Sequence, residues 1–211
     1  MYGRAVGPPS VEIIMKVRAG KFRGAKLKME KGRRIRPVTS RIKTSVFDIL
    51  PLDLSGAVVL DLFAGSGSLG IEALSRGVSG VVFVDQSRKS GELIKLNLSR
   101  LGCFEKGEVM VKKAAAAISQ LAAEAARFHL VFIDPPFDED LAGRTLAQLA
   151  GSGILADGAI VVCRVSQREQ VAEGYGRLGL TDRRKYGDSV VNFYEFEAGG
   201  HACPPHEDLG G

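Results

Sequence analysis

A glycine-rich segment that directly follows an apolar run restricts the fold of this 211-residue chain more than any other feature. Residues 57–62 predict a buried strand, and the chain continues as Asp61-Leu62-Phe63-Ala64-Gly65-Ser66-Gly67-Ser68-Leu69-Gly70. The three glycines match the pattern GxGxxG, which allows a tight turn from strand to helix and a close approach of a ligand to the backbone. A helix is predicted over residues 68–75, ended by Gly77. The segment therefore predicts an α/β fold with a ligand site at its first loop.

Downstream of this loop, the chain alternates predicted strands with predicted helices. Strands are expected at residues 81–85, 108–112, 129–133 and 159–163, and helices at 87–101, 114–126 and 140–149. The alternation predicts a parallel sheet with helices on both faces. The end of the chain differs, because residues 177–185 and 190–197 flank Tyr186-Gly187-Asp188-Ser189 and predict an antiparallel hairpin that completes the sheet.

Positive charge is concentrated in the N-terminal part of the chain. Between Lys16 and Lys43 there are twelve lysines and arginines, opposed only by Glu30, while the whole chain has a net charge of +5. A basic lobe beside a near-neutral domain indicates contact with a polyanion such as nucleic acid. The lobe is predicted to contain a twisted hairpin at 16–29 with turns at the glycines, and then a helix capped by Thr39 and stopped by Pro51.

Four segments follow from these patterns. We predict a flexible tail at 1–14, a basic hairpin and helix at 15–52, the α/β domain at 53–198, and a second flexible tail at 199–211. Met15 is an alternative start in this interpretation. The three cysteines form no CxxC pair, which speaks against a disulfide framework or a zinc site. No apolar run reaches the roughly 20 residues of a membrane span. We expect a cytoplasmic monomer that needs no metal.

The glycine loop alone is compatible with two cofactor classes, nicotinamide dinucleotides and S-adenosylmethionine. Asp85 ends the next strand, twenty positions after Gly65, and can accept hydrogen bonds from the ribose hydroxyls of either cofactor. Asp61 precedes the glycines, where a carboxylate would repel a pyrophosphate but suits a cationic sulfonium. S-adenosylmethionine is therefore expected. Its predicted contacts are Asp61, Phe63, Ala64, Gly65, Ser66, Gly67, Asp85 and Gln86.

The strand predicted at 129–133 leads into Asp134-Pro135-Pro136-Phe137, at the sheet edge where ligands of open α/β sheets bind. The two prolines stiffen this loop and remove two N–H donors. Asp134 and the carbonyl of Pro135 can both accept hydrogen bonds from one amino group, and Phe137 offers a face for stacking a base. Two such acceptors would localise the nitrogen lone pair of an aromatic amine, and Asp134 could take the released proton or pass it to water. Asp134, Pro135, Pro136 and Phe137 are thus the predicted catalytic residues for methyl transfer to a base that has left its stack.

Other chemistries find less support. A cytosine-C5 mechanism needs a nucleophilic cysteine near the loop, and the sequence shows none there. His129 falls within a predicted strand, and His201 and His206 fall in the tail, so a hydrolytic triad is not indicated. Methyl transfer to an amine of adenine or cytosine in RNA or DNA stays open, because the same loop serves all of these amines. A nicotinamide-dependent oxidoreductase and a non-catalytic RNA-binding module are more distant alternatives.

With these motifs, the chain resembles the RsmD family of bacterial methyltransferases over roughly residues 15–196. The matching stretches are Arg18-Ala19-Gly20-Lys21-Phe22-Arg23-Gly24, Arg36-Pro37-Val38-Thr39 with Arg41, residues 61–77, Asp134-Pro135-Pro136-Phe137, and Tyr186-Gly187-Asp188. The resemblance implies a Rossmann-like class I methyltransferase fold: a seven-stranded, mostly parallel sheet with an antiparallel last strand, plus an N-terminal β-hairpin extension. It implies methyl transfer from S-adenosylmethionine to guanine N2 of 16S ribosomal RNA, within a partly assembled small subunit.

Charge and resemblance together indicate the residues that contact the RNA. The predicted set is Lys21, Arg23, Arg34, Arg36, Thr39 and Arg41, the last three in family motifs near the substrate entrance. The sequence departs from the family at two places. Members usually have an acid after the third strand that helps to hold the adenine amine, where this chain has Val111-Lys112-Lys113-Ala114. Their loop also often ends in Tyr, where this chain has Phe137.

Overall fold

The computed structural model describes residues 15–29, 37–51, 53–136 and 140–197. Both predicted tails, Arg34, Arg36 and Phe137 lie outside these residues. Two short antiparallel strands, β1 (Met15–Lys16) and β2 (Lys26–Leu27), form the N-terminal hairpin. The other strands of the described residues are β3 (Val58–Leu62), β4 (Gly80–Asp85), β5 (Gly107–Val111), β6 (Phe128–Ile133), β7 (Leu155–Ser166), β8 (Gly174–Tyr175), β9 (Leu178–Tyr186) and β10 (Ser189–Phe196).

These eight strands form one sheet in the order β5-β4-β3-β6-β7-β10-β9-β8. The first five are parallel, and β10 inserts antiparallel between β7 and β9, which confirms the predicted mostly parallel sheet with a reversed last strand. The predicted count of seven strands was wrong by one, because β8 pairs with β9 through Gly174 and Tyr175 alone. A strand of two residues is too short for the alternation of buried and exposed side chains that reveals strands in a sequence.

Five helices cover the sheet in the described part of the chain: α1 (Pro37–Ile49), α2 (Ser68–Ser75), α3 (Arg88–Arg100), α4 (Ala114–Ala123) and α5 (Leu141–Gly151). The hairpin, α1, α2 and α3 pack on one face of the sheet, while α4 and α5 pack on the other. The predicted helix start at Thr39 was wrong, since α1 already begins at Pro37, and proline suits a first helical turn. Along α3, Ile94 and Leu98 are buried against the sheet, whereas Leu96 is 42% exposed. No helix among these residues has the length and apolarity to cross a bilayer.

The N-terminal hairpin is attached to the end of α2 by hydrogen bonds to the backbone and the side chain of Ser75. The N–H of Lys21 donates to the carbonyl of Ser75 at 2.7 Å, and the N–H of Phe22 donates to Ser75 Oγ at 2.9 Å. That hydroxyl in turn donates to the carbonyl of Ala19. The chain approaches so closely that a Cβ on Gly20 would lie 1.7 Å from the Ser75 carbonyl oxygen.

A buried carboxylate, Glu72 of α2, fixes both parts of the N-terminal lobe. It accepts hydrogen bonds from the backbone N–H groups of Arg18 at 2.9 Å and Ala19 at 3.0 Å. The ammonium of Lys43, from α1, lies 3.0 Å from the same carboxylate, and both side chains are almost fully buried. Lys43 also donates to the carbonyl of Lys16 at 3.0 Å. Burial lowers the pKa of Lys43, and the charge of Glu72 opposes that shift.

Asn97 of α3 attaches the other end of the hairpin. Its Oδ1 accepts the N–H of Lys28 at 2.9 Å, and its Nδ2 donates to the carbonyl of the same residue at 3.0 Å. The same Nδ2 donates to the carbonyl of Ser66 in the glycine loop at 3.1 Å. Asn97 is 1% exposed, so one buried amide joins the basic lobe to the predicted cofactor loop.

The hairpin glycines provide a matched test of this docking. Gly20 and Gly24 both have positive φ, 76° and 84°, but a Cβ on Gly24 would meet no atom within 4 Å. We expect Gly24→Ala to cost roughly 1 kcal/mol, the strain of the left-handed conformation alone. Gly20→Ala should cost roughly 1–3 kcal/mol more, because its methyl group collides with α2. Urea unfolding measures both costs, and faster amide exchange at Lys21 in Gly20→Ala would locate the damage. Equal costs for the two substitutions would contradict the docking.

Candidate active site

The carboxyl ends of β3, β4 and β6 lie side by side at one edge of the sheet, and the glycine loop follows β3 there. The loop is anchored by the N–H of Ala64, which donates to the carbonyl of Val84 at 3.0 Å. Phe63 has a φ of 61°, an uncommon conformation for a non-glycine residue that tends to occur at functional sites. A Cβ on Gly70 would lie 2.3 Å from the Phe83 ring, so the last glycine of the motif allows α2 to pack on β4.

Asp85 lies at the end of β4 and supports the glycine loop. Its Oδ2 accepts the N–H of Gly65, and its Oδ1 accepts the N–H of Ser87, each at 2.8 Å. Each carboxylate oxygen has further acceptor capacity, so Asp85 can also receive a pair of hydroxyl groups. Gln86 follows as an exposed residue. This arrangement fits the predicted role of Asp85 as an acceptor for the ribose of a cofactor.

Asp61 has a structural role that the sequence did not predict. It is 1% exposed, and its Oδ2 accepts the N–H of Gly70 at 2.9 Å, which caps the first turn of α2. Burial raises the pKa of Asp61 to about 7, and the negative charges of Asp134 and Asp85 add to the shift. The sequence interpretation expected the carboxylate of Asp61 to attract a cationic sulfonium; in the structure this carboxylate is buried and its Oδ2 accepts the Gly70 N–H.

Asp134 follows β6 and forms an ion pair with Arg164 of β7. The Nε and Nη2 atoms of Arg164 lie 2.6 and 2.5 Å from Oδ1 of Asp134. The pairing follows from the strand register, in which Ile133 lies beside Cys163, so that the next residues of the two strands also become neighbours. Arg164 was not among the site residues predicted from the sequence, although a single charged residue at the end of the apolar run 159–163 was a signal.

A pocket that opens to solvent lies beside this ion pair. Its walls include Ile42 and Val46 of α1, Leu69 of α2 and Phe132 of β6, with Asp134 and Arg164 among its polar lining. Apolar walls with a few polar groups suit a flat aromatic ligand that is held by hydrogen bonds at one edge. The N-terminal lobe therefore forms part of the predicted catalytic site, through α1.

The predicted RNA-contact residues are divided by the structure. Arg41 is exposed on α1, next to the pocket residue Ile42, and Thr39 lies in the same helix. Lys21 and Arg23 are exposed in the hairpin turn that docks at Ser75, the far end of α2. At 1.5 Å per residue, α2 separates that turn from the glycine loop by roughly 10 Å. The structure thus brings Arg41 towards the sheet edge that carries Asp134, but not Lys21 and Arg23.

Cysteine chemistry at the loop was rejected because no cysteine is near it in sequence, yet the fold brings Cys163 beside Ile133. This thiol is fully buried among the helices of the opposite sheet face, and burial raises its pKa strongly. It is therefore unsuited to act as a nucleophile. No cluster of His, Cys, Asp and Glu able to hold a metal ion occurs in the described ranges.

Asp61 predicts a distinctive pH dependence of stability. Because its pKa in the folded protein, about 7, lies above the ordinary value of 3.8, the folded state binds this proton more tightly than the unfolded state. Its contribution to the free energy of unfolding therefore falls as the pH rises from about 4 to about 7. In Asp61→Asn that fall is absent, while an oxygen remains to accept the Gly70 N–H. The free energy of unfolding of Asp61→Asn minus that of the wild type should therefore rise with pH, by up to roughly 1.4 kcal/mol per pH unit.

Urea unfolding at pH 5 and pH 8 measures this difference. Asp157→Asn, which changes a 72% exposed carboxylate, is the control and should retain the wild-type dependence. A constant difference between Asp61→Asn and wild type at the two pH values would contradict the assignment.

Comparison with known proteins gives the family. A family model described as Conserved hypothetical protein 95 matches residues 15–195. YlbH of Bacillus subtilis (strain 168) is 33% identical over 181 residues, which cover 86% of this chain and 98% of YlbH. Ribosomal RNA small subunit methyltransferase D of Escherichia coli (strain K12) is 30% identical over 188 residues, which cover 89% of this chain and 93% of the relative.

A solved structure extends the likeness to three dimensions. The structure of yhhF from Escherichia coli superposes with a TM-score of 0.79 at 29% sequence identity, covering 88% of this chain and 99% of that one. Together with the strand order, this likeness confirms the predicted Rossmann-like class I methyltransferase fold. The chain belongs to the family of the matching model, the RsmD family that its motifs indicated.

Proposed function

We propose that the protein transfers a methyl group from S-adenosylmethionine to the exocyclic N2 of a guanine in 16S ribosomal RNA of the small subunit. The observation that carries this proposal is the position of Asp134. It lies at the end of β6, beside the strand that opens the glycine loop, and it lines a pocket with apolar walls. A relative that is 30% identical is named as a small-subunit ribosomal RNA methyltransferase, which supports the RNA class of the substrate.

The residues at the sheet edge fit S-adenosylmethionine, which supplies an electrophilic methyl group when it is bound. Asp85 would receive the ribose hydroxyls, and the backbone of the glycine loop would pass along the methionine part. The carboxylate of Asp61 on β3, when ionised, favours a cation over the pyrophosphate of a dinucleotide, which argues against the oxidoreductase alternative. Where the family acid is missing after β5, Val111 is 43% exposed and offers an apolar contact for the adenine ring.

At the catalytic loop, this chain's own groups orient the amine. Asp134 and the carbonyl of Pro135 accept hydrogen bonds from its two N–H groups, so that the nitrogen lone pair is directed towards the methyl group. The nitrogen gains a methyl group and releases one proton to Asp134 or to water. Phe137 is predicted to stack on the base, and Arg41 on the exposed side of α1 contacts the RNA backbone near the pocket. The same acceptors would serve adenine or cytosine amines, and the family match favours guanine.

A methyl-transfer assay tests the proposed function. Purified protein is incubated with tritiated S-adenosylmethionine and, in parallel, with small subunits from a strain that lacks the family enzyme, free 16S ribosomal RNA, and DNA. We expect incorporation into the small subunits, and mass spectrometry of the nucleosides should identify N2-methylguanosine. Methylation of adenine or cytosine, or of DNA alone, would overturn the guanine assignment, and no incorporation into any substrate would overturn the methyltransferase assignment.

The role of Asp134 predicts the behaviour of one variant in this assay. Asp134→Ala should reduce methyl transfer to background, because one of the two amine acceptors is removed. Cofactor affinity, measured by calorimetry, should stay within about threefold of wild type, since Asp134 is assigned to the base and not to the cofactor. Asp157→Ala, which removes an exposed carboxylate, is the control and should retain full activity. Substantial activity in Asp134→Ala would contradict its catalytic assignment.

Asp85 predicts the opposite pattern. Asp85→Asn removes a charged acceptor, and hydrogen bonds to charged groups contribute about 1.5–3 kcal/mol, so cofactor affinity should fall roughly tenfold to a hundredfold. The rate at saturating cofactor should remain within a few-fold of wild type. Glu92→Gln, on the exposed side of α3, is the control. Unchanged affinity in Asp85→Asn, measured by calorimetry, would show that the cofactor does not use this carboxylate.

A further inference from the structure

The ion pair between Asp134 and Arg164 has an asymmetric geometry. Two nitrogens of the guanidinium, Nε and Nη2, approach the same carboxylate oxygen, Oδ1, at 2.6 and 2.5 Å. An Arg–carboxylate pair more often uses both oxygens, one for each nitrogen. Here both nitrogens of Arg164 lie against one oxygen, Oδ1. The other oxygen, Oδ2, keeps its acceptor capacity for another donor.

The guanidinium is itself held from a second side. Its Nη1 lies 3.5 Å from the hydroxyl of Ser189, which is 4% exposed at the start of β10. In the sheet, Arg164 of β7 lies opposite Val191, which belongs to β10 as Ser189 does. Arg164 therefore connects three adjacent strands, from β10 through β7 to the end of β6, and its orientation is determined by the sheet.

The backbone next to Asp134 is stiff for a different reason. Pro135 and Pro136 have fixed φ values, so the main freedom left to the Asp134 carboxylate lies in its two side-chain torsions. An anchor on Oδ1 restricts both torsions and thereby fixes the position of Oδ2. Asp134 and Arg164 both line the pocket, and their side chains are 24% and 22% exposed.

From this geometry we infer that Arg164 is a positioning residue for methyl transfer: it holds Oδ1 of Asp134 so that Oδ2 receives an N–H of the base amine. The inference rests on the proposed function of Asp134. Partly exposed ion pairs contribute little to stability, so the loss of Arg164 should affect the rate far more than the fold. A displacement of a reacting group by about 1 Å can cost roughly a hundredfold in rate.

Two substitutions and a control test the inference on complete protein and small subunits. Arg164→Gln should lower kcat roughly a hundredfold, whereas Arg164→Lys, which keeps the charge but not the paired donors, should lower it roughly tenfold. The KM for subunits and the Kd for cofactor should change by less than about threefold. Arg168→Gln removes an exposed arginine four positions later, and its kcat should match wild type. A wild-type kcat in Arg164→Gln, or a loss confined to KM, would overturn the inference.

A double-mutant cycle shows whether Arg164 acts through Asp134. Asp134→Asn keeps one oxygen acceptor and should leave a low but measurable single-turnover rate. If Arg164 acts only by placing that side chain, Asp134→Asn with Arg164→Gln should be no slower than Asp134→Asn alone, within about twofold. If the rate losses of the two single substitutions multiply in the double variant, the inference is overturned. A thermal melt of each variant shows whether it folds. If Arg164→Gln does not fold, Arg164→Lys replaces it, and a wild-type kcat in Arg164→Lys would overturn the inference.

These rates count methyl groups transferred, whichever base accepts them. A product other than N2-methylguanosine would overturn the guanine assignment and leave the role of Arg164 standing. Conversely, a wild-type kcat in Arg164→Gln with N2-methylguanosine as product would overturn the role of Arg164 and leave the proposed function intact.

Discussion

The buried carboxylate of Glu72 is the constraint on which the arrangement of the molecule depends. A carboxylate without partners in an apolar interior costs many kcal/mol, and Glu72 is fully buried on the helix that follows the glycine loop. Its partners are backbone N–H groups of the hairpin, the ammonium of Lys43 from α1 and, at 3.4 Å, the guanidinium of Arg76 one turn further along the chain. Of these partners, Arg76 alone belongs to the α/β domain, and it is the most distant of them. Glu72 therefore couples the hairpin, α1 and α2, and the N-terminal lobe is an integral part of the fold.

That attachment separates charge across the molecule. The sheet edge gathers the carboxylates of Asp61, Asp85 and Asp134, with Arg164 as a cationic partner of the last. The N-terminal lobe contributes many lysines and arginines, and it reaches the same edge through α1. A cationic cofactor would then meet the carboxylates of the edge, and an anionic RNA would meet the basic lobe. Each ligand would thus approach the pocket over a surface of opposite charge.

Local patterns in the sequence were sufficient for the α/β architecture, because the central strands, the glycine loop and the proline loop each have a short-range signature. Asp85 and Asp134 could be placed at one edge for the same reason: the carboxyl ends of parallel strands meet there. Strand register is different, since it is determined by contacts far apart in the chain. Arg164 meets Asp134 across thirty residues, and Glu72 meets Arg18 across fifty-four, so neither pair had a local signature.

Asn97 has a thermodynamic consequence. One buried amide donates to the carbonyl of Lys28 in the basic lobe and to that of Ser66 in the glycine loop. Any event that moves one of these carbonyls changes the geometry available to the other, so the two surfaces share a coupling free energy. Such coupling is reciprocal: whatever binding at the lobe does to the loop's affinity, binding at the loop does to the lobe's by the same factor. A single buried side chain thereby couples the basic lobe to the glycine loop.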